Sequence, residues 1–211
     1  MTTLIIARHG NTFETGEQPR RVGGRTDLPL TEKGRMQARG IGLWLKENRL
    51  FPDVVYSSQL KRTIETAHLA IAESGVKQPV FQLEIFNEID YGPDENKTED
   101  EVIARLGEKA LKNWDEQAIV PDGWIADPAQ IINNWQGFAD SIRAHDDNET
   151  ILAVTSNGTA RFAPYITGDY DSFATQNDIK LATGAVGVMQ FANGRWVISG
   201  WNIRPALPAL N

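Results

Sequence analysis

Leu4-Ile5-Ile6-Ala7-Arg8-His9-Gly10 is the stretch that decides how this chain is read. Four consecutive apolar residues, two of them β-branched, predict a short strand buried on both faces. Arg8 and His9 then stand at its carboxyl end. In open α/β sheets that edge is where ligands bind. An imidazole there can act as a nucleophile toward phosphorus, and a guanidinium beside it can grip phosphoryl oxygens as a bidentate fork. A tripeptide alone carries little weight; this one gains weight from the parts that follow it in order.

Outward from that strand, strands and helices alternate. Residues 9–30 form a polar loop rich in Gly, Thr and Arg, and Thr31 reads as the N-cap of a helix with Ile41, Trp44 and Leu45 on one face. Val54-Val55-Tyr56 predicts a second strand. Ser57 or Ser58 would cap the next helix, whose apolar face is Leu60, Ile64, Ala67 and Ile71 and whose end is marked by Gly75. Residues 80–83 suit a third strand. Thr98-Glu99-Asp100-Glu101 is a capping box opening a helix that runs to about Trp114. Asp127-Pro128 supplies a cap and a first-turn proline for another. Thr150 to Thr155 predicts a buried strand ending in Ser156-Asn157-Gly158 and a helix, and Ala185 to Trp201 a hairpin turning at Asn193-Gly194. The pattern predicts one α/β domain over residues 1–211 with a helical insert at about 93–127.

Composition sets the bounds. The chain has 211 residues, a formal net charge of -7 and no cysteine. That charge argues against nucleic acid or an anionic membrane as a general partner, while a local arginine cluster still suits a small anion. Disulfides and thiolate chemistry are excluded. With no long apolar run and no basic, apolar leader, the expected compartment is the cytoplasm. His68, between Ala67 and Leu69, is expected to pack, and His145 to sit at a helix end; neither has metal-ligand spacing, so no metal or other cofactor is expected.

The sequence resembles the histidine phosphatase superfamily, also called the phosphoglycerate mutase-like family, nearly end to end. The matching segments are residues 4–12, then Asp27-Leu28-Pro29-Leu30-Thr31 with Gly34, Gln37 and Ala38, then Ser57-Ser58 with Lys61-Arg62-Thr63 and Thr66-Ala67, and Asn87-Glu88 with Tyr91-Gly92. The resemblance implies a three-layer sandwich with a mostly parallel central sheet between helices. It implies that His9 attacks phosphorus and becomes a phosphohistidine, that Arg8 and Arg62 hold the nonbridging oxygens, and that Glu88 protonates the leaving oxygen and later activates water. It places Asn11, Thr15, Arg21, Gly24, Tyr91, Lys97, Ser156 and Asn157 around the phosphate or substrate, Gly23 and Gly24 by their backbone amides. Arg20 and Arg25 would widen the positive funnel. The implied partner is a small phosphorylated metabolite.

Two departures bear on activity. The family usually has a histidine five residues before the arginine that is Arg161 here; that position is Ser156. A hydroxyl can donate to a phosphoryl oxygen but brings no charge, and a charge-assisted bond is about twice as strong. Mutases of the family follow the position of Glu88 with arginine and that of Trp114 with two arginines that hold a carboxylate. Here Ile89, and Asp115-Glu116, stand there. Two acids would repel a phosphoglycerate carboxylate, leaving Lys97 as the candidate substrate cation. Hydrolysis is therefore expected rather than mutase-type transfer. The alternative from another class is a protein of the same fold that binds a phosphorylated ligand without turning it over. A serine-hydrolase reading of Ser156 on a strand-to-helix turn lacks the glycine two residues earlier, where Val154 stands, and a later histidine.

Overall fold

The computed structural model describes residues 1–143 and 148–209. In chain order they form β1 (Thr3–Arg8), α1 (Glu32–Glu47), β2 (Val54–Ser57), α2 (Lys61–Ser74), β3 (Val80–Gln82), α3 (Glu99–Leu106), α4 (Glu108–Gln117), α5 (Pro128–Arg143), β4 (Thr150–Thr155), α6 (Asn157–Ala160), α7 (Tyr170–Gln176), β5 (Val186–Ala192) and β6 (Arg195–Ile203). One six-stranded sheet has the order β3-β2-β4-β1-β5-β6. β3, β2, β4 and β1 are parallel, and the β5–β6 hairpin adds an antiparallel edge.

The apolar run of β1 is buried on both faces because successive side chains point to opposite sides of a strand. Ile5 and Ala7 pack with Ile41 and Leu45 of α1 and Ala67, Ala70 and Ile71 of α2. Leu4 and Ile6 pack on the other side in a larger core with Trp135, Phe138 and Ile142 of α5 and Trp114 of α4. Helices on both faces and a largely parallel sheet are the expected three layers. The hairpin turns at Asn193-Gly194, both at positive φ, as expected.

Local details differ from the expectation for physical reasons. The insert helix is split at Gly107, whose φ of 78° ends α3 and lets α4 start in a new direction. Neither Ser57 nor Ser58 is the N-cap of α2; Leu60 holds that position without a side-chain bond. The free amides are met from elsewhere, Lys61 N–H by Asp27 Oδ1 at 2.8 Å and Leu60 N–H by Ser58 Oγ at 3.2 Å. The helix after β4 is a single turn, followed by a 3-10 segment whose Pro164 prevents a longer helix. α7 carried no clear sequence signal. His68 is exposed, since it lies off the buried stripe of Ala67, Ala70 and Ile71, and so does not pack as expected. His145 lies outside the described residues. Among those described, no helix is long and apolar enough to cross a membrane.

Candidate active site

The carboxyl ends of β1, β2 and β4 meet where the sequence placed them. His9 N–H donates to Thr155 O at 3.1 Å, tying the end of β1 to the end of β4. Gly10 N–H donates to Thr66 Oγ1 on α2 at 3.2 Å. The imidazole is thereby held between the sheet edge and α2 and is 7% exposed. Its Nδ1 lies 2.7 Å from Gly10 O. A carbonyl only accepts, so Nδ1 carries the proton and Nε2 carries the lone pair. Burial, then the charges of Arg62 and Arg8, hold the His9 pKa well below the usual histidine value, so the ring is neutral at neutral pH.

Arg62 is fully buried in the first turn of α2. Its Nε donates to His9 Nε2 at 3.2 Å, Nη1 to Thr26 O at 2.8 Å and Nη2 to Gly23 O at 3.2 Å. Arg8, at the end of β1, donates from Nη1 to Leu181 O at 2.6 Å, while its buried Nε has no partner. Neither guanidinium pairs with a carboxylate among the described residues. Burial lowers the pKa of both, yet an arginine stays charged in proteins. The result is two cations beside a neutral imidazole, a ready receptor for an anion.

Glu88 is buried in the segment after the 3-10 turn Glu84–Phe86. Thr155 Oγ1 donates to Phe86 O at 2.7 Å and Thr159 Oγ1 to Asn87 O at 2.5 Å, which fixes that segment against β4 and α6. The carboxylate accepts from Ile89 N–H at 3.0 Å, Gly158 N–H at 3.1 Å and Tyr91 O–H at 3.4 Å. A Cβ at position 158 would lie 2.3 Å from Glu88 Oε1, so only glycine admits the carboxyl there. Burial, and then Glu88, raise the pKa of Tyr91, which stays a phenol and a donor at working pH.

A pocket of about 350 Å³ opens over this cluster, and Arg8, His9, Asn11, Arg21, Glu88, Tyr91 and Asn157 all line it. Other expected residues stand elsewhere. Thr15 is exposed and is not among the lining residues. Lys97 is half-exposed and pairs with Glu101 at 3.2 Å, away from the pocket wall. The amides of Gly23 and Gly24 are committed to Glu95 Oε1 and Ile89 O, both at 2.9 Å, and so do not face a phosphate. These glycines serve close packing instead: a Cβ on Gly23 would lie 2.3 Å from Glu95 Oε2, and the Gly23 carbonyl orients Arg62. Ser156 lies behind the wall, fully buried, its Oγ without a partner. Arg20 lines the pocket and donates to Asn96 O at 3.1 Å; Arg25 pairs with Asp90 at 2.9 Å.

The sequence reading gave no role to Arg161, yet it lines the pocket and is 1% exposed. Its place four residues after Asn157, hence on the same side of a helical turn, is the signal that could have found it. The acids after Trp114 are also less repulsive than their charges imply. Asp115 reaches the pocket but pairs with Lys180 at 3.1 Å, and Glu116 pairs with Lys112 at 3.9 Å in an adjacent groove.

The chain is 35% identical over 115 residues to the 2,3-bisphosphoglycerate-dependent phosphoglycerate mutase of Tropheryma whipplei (strain Twist), covering 54% of this chain and 51% of that protein. The chain thus spans about half the length of the curated relatives it matches. The solved structure of Bacillus stearothermophilus YhfR superposes with a TM-score of 0.77 at 25% identity, covering 96% of this chain and 98% of that one. A mutant phosphoserine phosphatase from Entamoeba histolytica in complex with phosphoserine superposes with a TM-score of 0.74 at 23% identity, covering 96% and 97%, and shows the shared fold. A family model spans residues 4–204, from the strand that carries His9 to the end of the hairpin, and by that match the chain belongs to the histidine phosphatase superfamily (branch 1).

Proposed function

We propose that this protein is a phosphatase that hydrolyses a small phosphomonoester through a phosphohistidine on His9. The observation that carries the reading is the placement of His9: Nδ1 lies 2.7 Å from Gly10 O, so Nε2 carries the lone pair, which accepts from Arg62 Nε and exchanges that bond for phosphorus. In the first step Nε2 attacks phosphorus, the bond from phosphorus to the leaving oxygen breaks, and Glu88 gives that oxygen a proton. Arg62 and Arg8 turn their N–H groups to the nonbridging oxygens. In the second step water attacks phosphorus, Glu88 takes its proton, and the N–P bond breaks to release inorganic phosphate. The positive charge comes from the two arginines, so the steps call for no metal. One sheet joining β1 to β6 supports taking residues 1–211 as one domain. The bound phosphoserine of the Entamoeba neighbour supports a small phosphorylated metabolite as the partner.

The second reading, a phosphate-binding protein with little turnover, is favoured by the neutral Ser156; the third, transfer to a second acceptor, by the mutase names of the relatives. One experiment separates all three. Rapid mixing with a labelled phosphomonoester panel and denaturation without acid should trap acid-labile, alkali-stable phosphate on the protein, with inorganic phosphate as the product. His9→Ala should lose both label and turnover. Binding without label supports the second reading, and label passed to another phosphoester supports the third. Label on a serine would overturn the mechanism.

A further inference from the structure

Glu95 is half-buried beside the pocket without lining it, and it closes no ion pair among the described residues. Both of its oxygens are taken by backbone amides instead. Oε1 accepts from Gly23 N–H at 2.9 Å and Oε2 from Tyr91 N–H at 3.1 Å. The two amides belong to segments far apart in sequence, the loop before α1 and the segment that carries Glu88.

Local structure puts the carboxylate there. Gly92–Asp94 is a 3-10 turn that Tyr91 opens and Glu95 ends, with Glu95 N–H donating to Gly92 O at 3.3 Å. The turn brings the Glu95 side chain back over the Tyr91 amide, which the turn itself leaves without a partner. Asn96 then takes a positive φ of 61°, and the chain runs back along the loop. Asn96 N–H donates to Arg21 O at 2.7 Å and Arg21 N–H to Lys97 O at 2.8 Å. Glu95 therefore stands at the corner where the two segments meet.

Each amide leads to a group of the proposed chemistry. Gly23, held by its N–H, presents its carbonyl to Arg62 Nη2 at 3.2 Å. Tyr91, held by its N–H, presents its phenol to Glu88 Oε2 at 3.4 Å. One carboxylate thus spans the arginine that holds the phosphoryl group and the acid that protonates the leaving oxygen. A carboxylate can accept from both amides at once. A carboxamide accepts at one oxygen only, and its NH₂ would face an N–H of like polarity.

We propose that Glu95 is a positioning residue for hydrolysis, a clamp that sets Arg62 and Glu88 relative to one another by holding Gly23 and Tyr91 together. It touches no reacting atom and acts through those two residues. The inference rests on the phosphatase reading and adds to it a residue outside the pocket.

The test is steady-state hydrolysis of an alkyl phosphate and of nitrophenyl phosphate by the wild type, Glu95→Gln, Glu95→Ala, Glu88→Gln and the double variant Glu95→Gln/Glu88→Gln, with urea unfolding of each. A displacement of about 1 Å at reacting groups costs about a hundredfold in rate, so kcat of Glu95→Gln on the alkyl phosphate should fall by about ten- to hundredfold and KM should rise by less. Nitrophenyl phosphate needs no proton and should lose only the share that passes through Arg62. Once Glu88 is gone, Glu95→Gln should cost the alkyl phosphate no more than it costs nitrophenyl phosphate. Glu95→Ala frees both amides and should lose more than Glu95→Gln on both substrates. A carboxylate that only supports the fold would lower the urea midpoint and leave kcat unchanged well below unfolding; that result overturns the proposal, and so do losses that multiply fully in the double variant. Glu95→Gln is close to isosteric, so failure of both Glu95 variants to fold makes Glu95 a scaffold residue and overturns the proposal as well. If the wild type releases no phosphate, the phosphatase reading fails and the clamp with it. Wild-type turnover that the Glu95 variants match leaves the phosphatase reading standing alone.

Discussion

The pocket floor and the insert that overhangs it treat charge in opposite ways. On the floor, Arg8 and Arg62 donate to backbone carbonyls and His9 and close no ion pair among the described residues, with the Glu88 carboxylate near both. In the insert, charges close on one another: Lys97 with Glu101, Lys112 with Glu116, and Arg105 with the buried Asp94. Asp94 also accepts from Trp124 Nε1 at 2.6 Å, and Trp124 stacks edge-on with Tyr91 and Trp114. The difference teaches what each region is for. Uncompensated buried charge costs stability and is kept where a ligand will complete it; compensated charge fixes a shape. The insert gives Trp114 to the pocket wall and packs Trp124 against Tyr91 beside it.

The sharpest way to break this contrast is Glu88→Gln, which removes the proposed acid and keeps the length of its side chain. Alkyl phosphate hydrolysis should fall by about 10²–10⁴-fold. Nitrophenyl phosphate, whose leaving group needs no proton, should lose far less. Equal losses on both would make Glu88 a scaffold for Gly158 and Tyr91 and not the acid.

In the insert the expected effect is on stability. Asp94→Ala strips partners from Arg105 and leaves the Trp124 indole N–H buried without an acceptor. Urea unfolding should show a loss of about 2–3 kcal/mol, with KM raised more than kcat is lowered as the wall loosens. A kcat loss at unchanged stability would place Asp94 in the chemistry and erase the contrast.

The smallest effect is expected at Ser156. The hydroxyl is buried and unpartnered, so Ser156→Ala should hold or raise stability, by up to about 1 kcal/mol. It lies behind the pocket wall, so kcat/KM should hold. A several-fold fall in kcat/KM would put Ser156 among the phosphate contacts.

Much of this was legible in the chain. The β1 run, the caps at Thr31 and Asp127 and the Asn193-Gly194 turn are local signals, and the structure has each of them. His9, Arg8 and Glu88 were found by their family pattern, and they meet at one pocket. The glycine loop was misread for a physical reason. Glycine permits close approach, but the sequence does not say of what: Gly23 and Gly24 meet Glu95 and Ile89 and not a ligand. Lys97 was misplaced because its partner, Glu101, lies one helical turn on and claims it.

By itself the sequence determined the order of the strands and of the helices outside the insert up to β4, the buried strand that ends in Arg8-His9, and the absence of a charged residue at position 156. Those follow from periodicity and residue type over short spans. The tertiary structure decided which charges remain uncompensated. Among the described residues Arg161 closes no ion pair, while Asp115 pairs with Lys180, because α4, α6 and the segment around Lys180 converge from distant parts of the chain. An ion pair depends on separation in space and on burial, and neither is written in any local spacing.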